Sequence, residues 1–378
     1  MNLLQQDRRG AGRVSRAIEL RRFTVRGLNL LRAVGQNPIK ESPSYVVHRE
    51  NKWRLLRYRR HDRAGFQTPV LLVPSLINRH YVLDLSPGRS FVEFLLDQGH
   101  EVFMLDWGRP GSEDRYLSFD DITEHYLGRA MQRVGTYSPD KRVHVLGYCL
   151  GGTLAAIHAA AHPGRFASLV ALAAPVHFAV EGMLNEWMRL KSFNVHALVD
   201  GTGNVPWPLM QLAFHLLRPT LSLAKTAHLV DRAWDDEFLD GFFAIEAWGN
   251  DNVSFPGEAY RTYVEELYRG DAFFRGVFDL DGKRVSLSDI DCALKVISFE
   301  HDTIVPGPSA AALYEHSSSS DKHHLHLPGG HVGAVVSRKA STTLWPEISN
   351  WWAERDATKP VAKRRPRAVR SNGATRRR

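Results

Sequence analysis

Three residues of this chain, Cys149, Asp302 and His331, could together break and remake an acyl bond. Cys149 stands in HVLGYCLGGTLAA (144–156), with Gly147 two residues before it and Gly151 and Gly152 after it. An apolar run ends at Tyr148 and a helical pattern begins at Leu150, which puts the thiol on a tight strand-to-helix turn that needs small flanking residues. A helix N-terminus directly behind the sulfur favours the thiolate, the nucleophilic form. Asp302 ends VISFEHD (296–302) and is followed by TIVP, while His331 lies in LPGGHVG (327–333). A histidine there can take the thiol proton, and a carboxylate can orient the ring and stabilise its charged form. The competing reading of Asp302 is a cap for its own turn. An acyl intermediate also needs two backbone N–H groups aimed at the developing oxyanion. Leu150 supplies one; the other is expected from PSLINR (74–79), at Ile77 or its neighbour Leu76.

The elements that must position these groups are legible as apolar runs. YVVHRE and WRLLRYR read as an antiparallel hairpin turning around Glu50 and Asn51. PVLLVPS (69–75), EVFMLDW (101–107), VHVLGY (143–148), SLVALAA (168–174), ALKVISF (293–299) and HHLHL (323–327) read as further strands. SFVEFLLDQG (90–99) reads as a helix stopped by glycine. SFDDITEHYLGRAMQRVG (118–135) reads as a helix opened by a Ser118–Asp121 capping box, and two more helices are expected at 308–317 and 341–354. Strands alternating with helices argue for a mostly parallel sheet with right-handed crossovers. From 175 to about 285 the rhythm gives way to helical periods rich in Trp, Leu, Phe and His, with no clear strand. Nucleophile, acid and base in that order, each at a strand end, is the order of the α/β-hydrolase fold. The expected architecture is therefore α/β, an α/β-hydrolase fold whose insertion forms a helical cap over the site.

The 378 residues, 43% hydrophobic and 24% charged, have the composition of a globular protein, with no apolar run long enough for a membrane span and no secretory signal. The net charge of +8 is unevenly spread. Residues 1–40 carry +7 and 359–378 carry nine Lys or Arg with no acid, leaving 41–358 at −8. Three regions follow: a basic N-terminal segment (1–40), amphipathic and helical in pattern over 16–34; a catalytic domain (41–358); and a basic disordered tail (359–378) suited to anionic partners. Two cysteines make no disulfide framework and fit a reducing compartment; Cys292 opens an apolar strand and reads as a small core residue. His323, His324 and His326 look like a metal cluster, but successive strand positions face opposite ways. They read as surface or core residues, and neither metal nor cofactor is expected.

With these residues in view, the chain resembles the polyhydroxyalkanoate synthases over roughly 40–355. The resemblance rests on INRHYVLDL (77–85), GHEVFMLDWGRP (99–110), GYCLGGT (147–153), GTGNVPWPLMQLAFHLLRPTLS (201–222), DTIVP (302–306) and PGGHVG (328–333), in the family's order. It implies polymerisation of (R)-3-hydroxyacyl-CoA into polyester with release of CoA. Cys149 would be the acylated nucleophile, His331 the general base and Asp302 the acid partner. CoA enters as part of the substrate, not as a cofactor. The family also implies a cytoplasmic protein at the surface of polymer granules, acting as a homodimer or with a second synthase subunit. The length is nearer the synthases that need that subunit, whereas GYCLGGT looks like the longer ones. Thr303 stands where the family often has histidine. Two other readings keep the fold and change the outcome: a thiol hydrolase or small acyltransferase, and a non-catalytic granule-associated paralogue.

Overall fold

The hairpin expected around Asn51 is present as β1 (Ser44–Glu50) and β2 (Trp53–Tyr58), with Asn51 at φ 49° in a left-handed turn that asparagine tolerates. The protein is described here by a computed structural model covering residues 39–60, 65–217 and 221–356. The helix read over 16–34 and the basic tail lie outside these residues.

The remaining strands are β3 (Val70–Val73), β4 (Val102–Asp106), β5 (Val143–Tyr148), β6 (Phe166–Leu172), β7 (Phe278–Leu280), β8 (Lys283–Val285), β9 (Ala293–Phe299) and β10 (Lys322–Leu327). Eight of the ten form one sheet in the order β1-β2-β4-β3-β5-β6-β9-β10. From β4 to β10 all neighbours are parallel, and β2 runs against both of its neighbours. Strands β3, β4 and β5 are buried at every position, because crossover helices cover both faces. Their side chains divide between two cores: Leu71 and Val73 join Phe103 and Leu105 on one face, and Val70 and Leu72 join Val102 and Met104 on the other.

Helix α1 (Phe91–Gln98) is capped as its sequence suggests, the Ser90 hydroxyl accepting the Glu93 N–H at 2.8 Å and Gly99 closing it at φ 101°. The Ser118–Asp121 capping box also forms, with reciprocal bonds of 3.0 and 2.9 Å. The helix it opens departs from expectation. Asp121–Tyr126 is wound with i→i+5 bonds, and the α-helix resumes as α2 (Leu127–Gly135). Helix α3 (Leu150–Ala161) leaves β5 through Cys149 alone.

Between β6 and β9 the chain forms α4 (Met183–Arg189), α5 (Val195–Thr202), α6 (Trp207–Leu217), α7 (Leu221–Asp231), α8 (Asp236–Asn250) and α9 (Gly257–Thr262). The expectation of no strand in this insertion is corrected at its end, where β7 and β8 pair as a small hairpin. Its turn is Asp281-Gly282, with φ 49° and 80°. That dipeptide between FDL and KRV is a hairpin signal in its own right. Helix α10 (Gly307–His316) follows β9, and α11 (Leu344–Arg355) follows β10 after two short helical turns, Gly333–Val336 and Arg338–Thr342. Among the described residues no helix is long and apolar enough to cross a membrane. Because β3, β5, β9 and β10 are parallel, the loops bearing Ile77, Cys149, Asp302 and His331 all leave the same edge of the sheet.

Candidate active site

Cys149 is held at φ 55°, ψ −130°, a conformation rare for a residue with a side chain. Its N–H donates to Leu172 O at 3.0 Å and its carbonyl accepts the Gly152 N–H at 2.8 Å, so bonds on both sides fix the strained turn. The glycines are needed for space. A Cβ on Gly151 would fall on the carbonyls of Val73 and Pro74, and one on Gly147 would strike the backbone of Gly151 and Gly152. Thr153 anchors the first turn of α3 by donating to Pro175 O at 2.6 Å.

Asp302 is buried and makes contacts of both kinds, to its own turn and to His331. Its Oδ1 accepts the N–H groups of Ile304 and Val305, each at 2.9 Å, and its Oδ2 pairs with His331 Nδ1 at 2.7 Å. Burial works against a charged His331 ring, but the adjacent Cys149 and Asp302 outweigh it and raise the imidazole to about 10. The structure joins the imidazole and the carboxylate by a hydrogen bond and sets Cys149 near enough to bear on the charge of the ring. The other thiol differs: burial pushes Cys292 up to about 12, as suits an inert core residue. Thr303 is exposed. His324 and His326 share one face of β10, both bonded to the Ser298 hydroxyl at 2.9 and 2.8 Å, and His323 turns the other way to Asp321.

Above Cys149 lies a cavity of about 290 Å³. Its floor includes Cys149, Leu150 and Ile77, and its walls are cap side chains such as Trp187, Met210 and Phe214. Leu150 opens α3, so its N–H is among those a helix leaves without an internal partner. Ile77 lines the same cavity, whereas Leu76 is buried in the core.

The Ile77 loop is fixed by residues of the motifs around it, to which the sequence assigns no work, and by Trp248 and Val253 of the cap. Asp106 accepts from Arg54 Nε at 2.9 Å, lies 3.2 Å from His80 Nδ1 and 3.6 Å from Arg79, and is held well below the usual carboxylate range; burial opposes this, and His80, Arg79 and Arg54 prevail. Trp107 donates to Pro74 O and Trp248 to Arg79 O, both at 2.9 Å. Ile77 O accepts the Val253 N–H from the cap at 3.3 Å. INRHYVLDL and FMLDWGRP are therefore two halves of one polar brace. The available signal was chemical: charged residues inside apolar runs are buried only with partners.

Tyr148 was also missed. Its ring stacks on His331 at 5.3 Å and its hydroxyl donates to His331 O at 3.0 Å, fixing the loop from beneath. So were Tyr263 and Tyr268, whose hydroxyls meet at 3.5 Å and which line the cavity. No period marks such residues in the sequence.

Comparison with known proteins places this arrangement. Residues 68–333 match the family described as "alpha/beta hydrolase fold", and residues 29–95 match "Poly-beta-hydroxybutyrate polymerase (PhaC) N-terminus". The poly(3-hydroxyalkanoate) polymerase subunit PhaC of Allochromatium vinosum is 34% identical over 318 residues, 83% of this chain and 89% of that one. The corresponding subunit of Haloferax mediterranei is 32% identical over 327 residues, 86% of this chain and 66% of the relative's length. That of Synechocystis sp. is 30% identical, covering 87% and 89%. Among solved structures, MenH from S. aureus shares the fold at 14% identity and a TM-score of 0.50, covering 81% of this chain and 99% of that one. Sequence and fold agree that the chain belongs to the α/β-hydrolase-fold family of poly(3-hydroxyalkanoate) polymerase PhaC subunits.

Proposed function

We propose that the chain is a polyhydroxyalkanoate synthase, an acyltransferase that joins (R)-3-hydroxyacyl groups from CoA thioesters. The observation that carries this reading is the placing of Cys149 on a strained turn beneath an apolar, cap-lined cavity, with His331 and Asp302 behind it. Cys149 attacks the acyl carbonyl as thiolate, the oxyanion draws on the Leu150 and Ile77 N–H groups, and the carbon–sulfur bond to CoA breaks. His331 returns its proton to the departing CoA sulfur. The acyl group is now a thioester on Cys149, as activated as it was on CoA. His331 then takes the proton from the 3-hydroxyl of a second acyl unit. That oxygen attacks the carbonyl, an ester forms, and the bond to Cys149 breaks. Exchanging thioester for ester drives elongation, and serine in place of Cys149 would discard that drive in the first step. The same carbonyl is open to water, and the apolar cavity is suited to keeping water away.

A homodimer or second synthase subunit, and residence at a cytoplasmic granule surface, go with this reading. The test is CoA release from (R)-3-hydroxybutyryl-CoA and medium-chain analogues, with the product identified, both alone and with a candidate second subunit. Polymer and acylated Cys149 are expected. Free hydroxy acid alone would make the chain a thiol hydrolase. Absence of both CoA release and acylation would leave the non-catalytic reading.

A further inference from the structure

His158 and His162 lie one helical turn apart at the far end of α3, and Glu124 faces them from the widened turn Asp121–Tyr126. One ligand atom from each lies within 4.8 Å of the other two. His162 Nε2 is 2.8 Å from both Glu124 carboxylate oxygens, and His158 Nδ1 is 3.5 Å from the nearer one. The ring centroids of the two histidines are 4.6 Å apart.

Glu124 pairs closely with His162 and only loosely, at 3.5 Å, with His158. That ring is fully buried, at 0% exposure, and neither of its nitrogens makes a hydrogen bond among the described residues. Its one polar neighbour, the Glu124 carboxylate 3.5 Å from Nδ1, is shared with His162, and Nε2 has no bond at all, so the buried ring is under-satisfied by the polypeptide and has room for a further partner. The side chains of Glu124 and His162, 22% and 27% exposed, leave a way in from solvent.

We infer that Glu124, His158 and His162 form a binding site for one divalent cation of the zinc type. Two imidazoles and a carboxylate are a zinc donor set, whereas calcium and magnesium take oxygen ligands. A tetrahedral ion with bonds of about 2.0–2.1 Å holds its ligand atoms roughly 3.4 Å apart, so the side chains need move only slightly. Three protein ligands leave the fourth position to water from the exposed side. Cys149 sits nine residues before His158 on the same helix, roughly 14 Å away at 1.5 Å per residue. The ion therefore takes no part in acyl transfer. It pins the far end of the nucleophile helix to the segment leading into α2. The sequence reading weighed only His323, His324 and His326 and expected no metal; Glu124 is remote in sequence from His158 and its turn is not α-helical.

The test uses the full chain as Cys149→Ser, so that metal on the active-site thiol is not counted. Chelator-stripped protein is titrated with zinc by calorimetry and with cobalt by visible absorption. One equivalent should bind, with a tetrahedral cobalt spectrum lacking thiolate charge transfer, and zinc should raise the melting midpoint. Glu124→Gln and His162→Ala, both at partly exposed positions and checked for fold by circular dichroism, should each weaken binding by more than about tenfold, since even supporting groups cost a metal site that much. His158→Gln should do the same where it folds, checked by circular dichroism. No saturable binding, or binding unchanged in both Glu124→Gln and His162→Ala, overturns the proposal and leaves an ordinary histidine–glutamate pair.

Discussion

Asp302 shows how one side chain can be asked for two things. Its Oδ2 holds His331 and its Oδ1 closes the turn through Ile304 and Val305. Substitutions can separate the two. Asp302→Asn can keep a carbonyl oxygen on the turn but removes the charge that stabilises the imidazolium. Acyl transfer should fall on the order of 10²–10⁴-fold while the melting midpoint stays near that of the parent. Asp302→Ala should lose activity as well and also unfold more easily, because two N–H groups lose their acceptor at about 1–3 kcal/mol for each that stays buried. Turnover of hydroxybutyryl-CoA and thermal denaturation, measured on both variants, make the comparison. Equal melting points for the two would mean that the turn does not depend on Asp302. The catalytic candidates were legible because each ends an apolar run, where a sheet presents its chemistry. Tyr148 was not, since its contact with His331 joins the end of β5 to the loop after β10, which no local period relates.

The docking of α11 against the sheet is decided by histidines that must stay neutral. His100 hydrogen-bonds the Ser349 hydroxyl at 2.9 Å, and its ring meets Trp352 edge-on at 5.7 Å. His144 bonds Ser168 at 2.8 Å and stacks on the same Trp352. Burial, with lesser help from neighbouring His144 and Arg60, lowers His100 to about 3; burial likewise lowers His144 to about 4. Both folded values lie below the unfolded value of 6.5, so in mildly acidic solution the unfolded chain binds protons that the folded chain refuses. Their contribution is whole above about pH 6.5 and drains away as pH falls toward 4 and then 3. By pH 5 each histidine should cost about 2 kcal/mol. Melting midpoints measured from pH 7.5 to 5 should fall, and His144→Asn should flatten that fall; an unchanged slope in the variant would remove His144 from the account. The elements themselves were largely readable, because buried parallel strands and capped helices carry local signals. The widened turn at Asp121–Tyr126 was not, since its residues fit an α-helix equally well. The β7–β8 hairpin was readable at Asp281-Gly282 and was hidden by the helical composition around it.

At the scale of the molecule, an acidic body of 41–358 lies between basic ends, and its cap roofs the one edge of the sheet where the strands deliver their chemistry. The cap is thin there. Leu209 lines the cavity and is also 43% exposed, so a single layer of side chains separates solvent from the space above Cys149. Under the proposed function, whether an acyl group on Cys149 becomes polymer or free acid is a contest between a hydroxyl and water, and that layer is the expected arbiter. Phe214, half-buried on α6, belongs to the same wall. Phe214→Ser opens the wall and offers water a partner inside it. The share of free hydroxy acid should rise by about tenfold, which needs only about 1.4 kcal/mol in favour of water. Acylation of Cys149, followed by CoA release in the first turnover, should change far less, because the substitution leaves the thiol, His331 and Asp302 in place. If the free-acid share does not move while the variant remains folded, the cap is not what excludes water, and protection of the thioester must come from the growing chain filling the cavity.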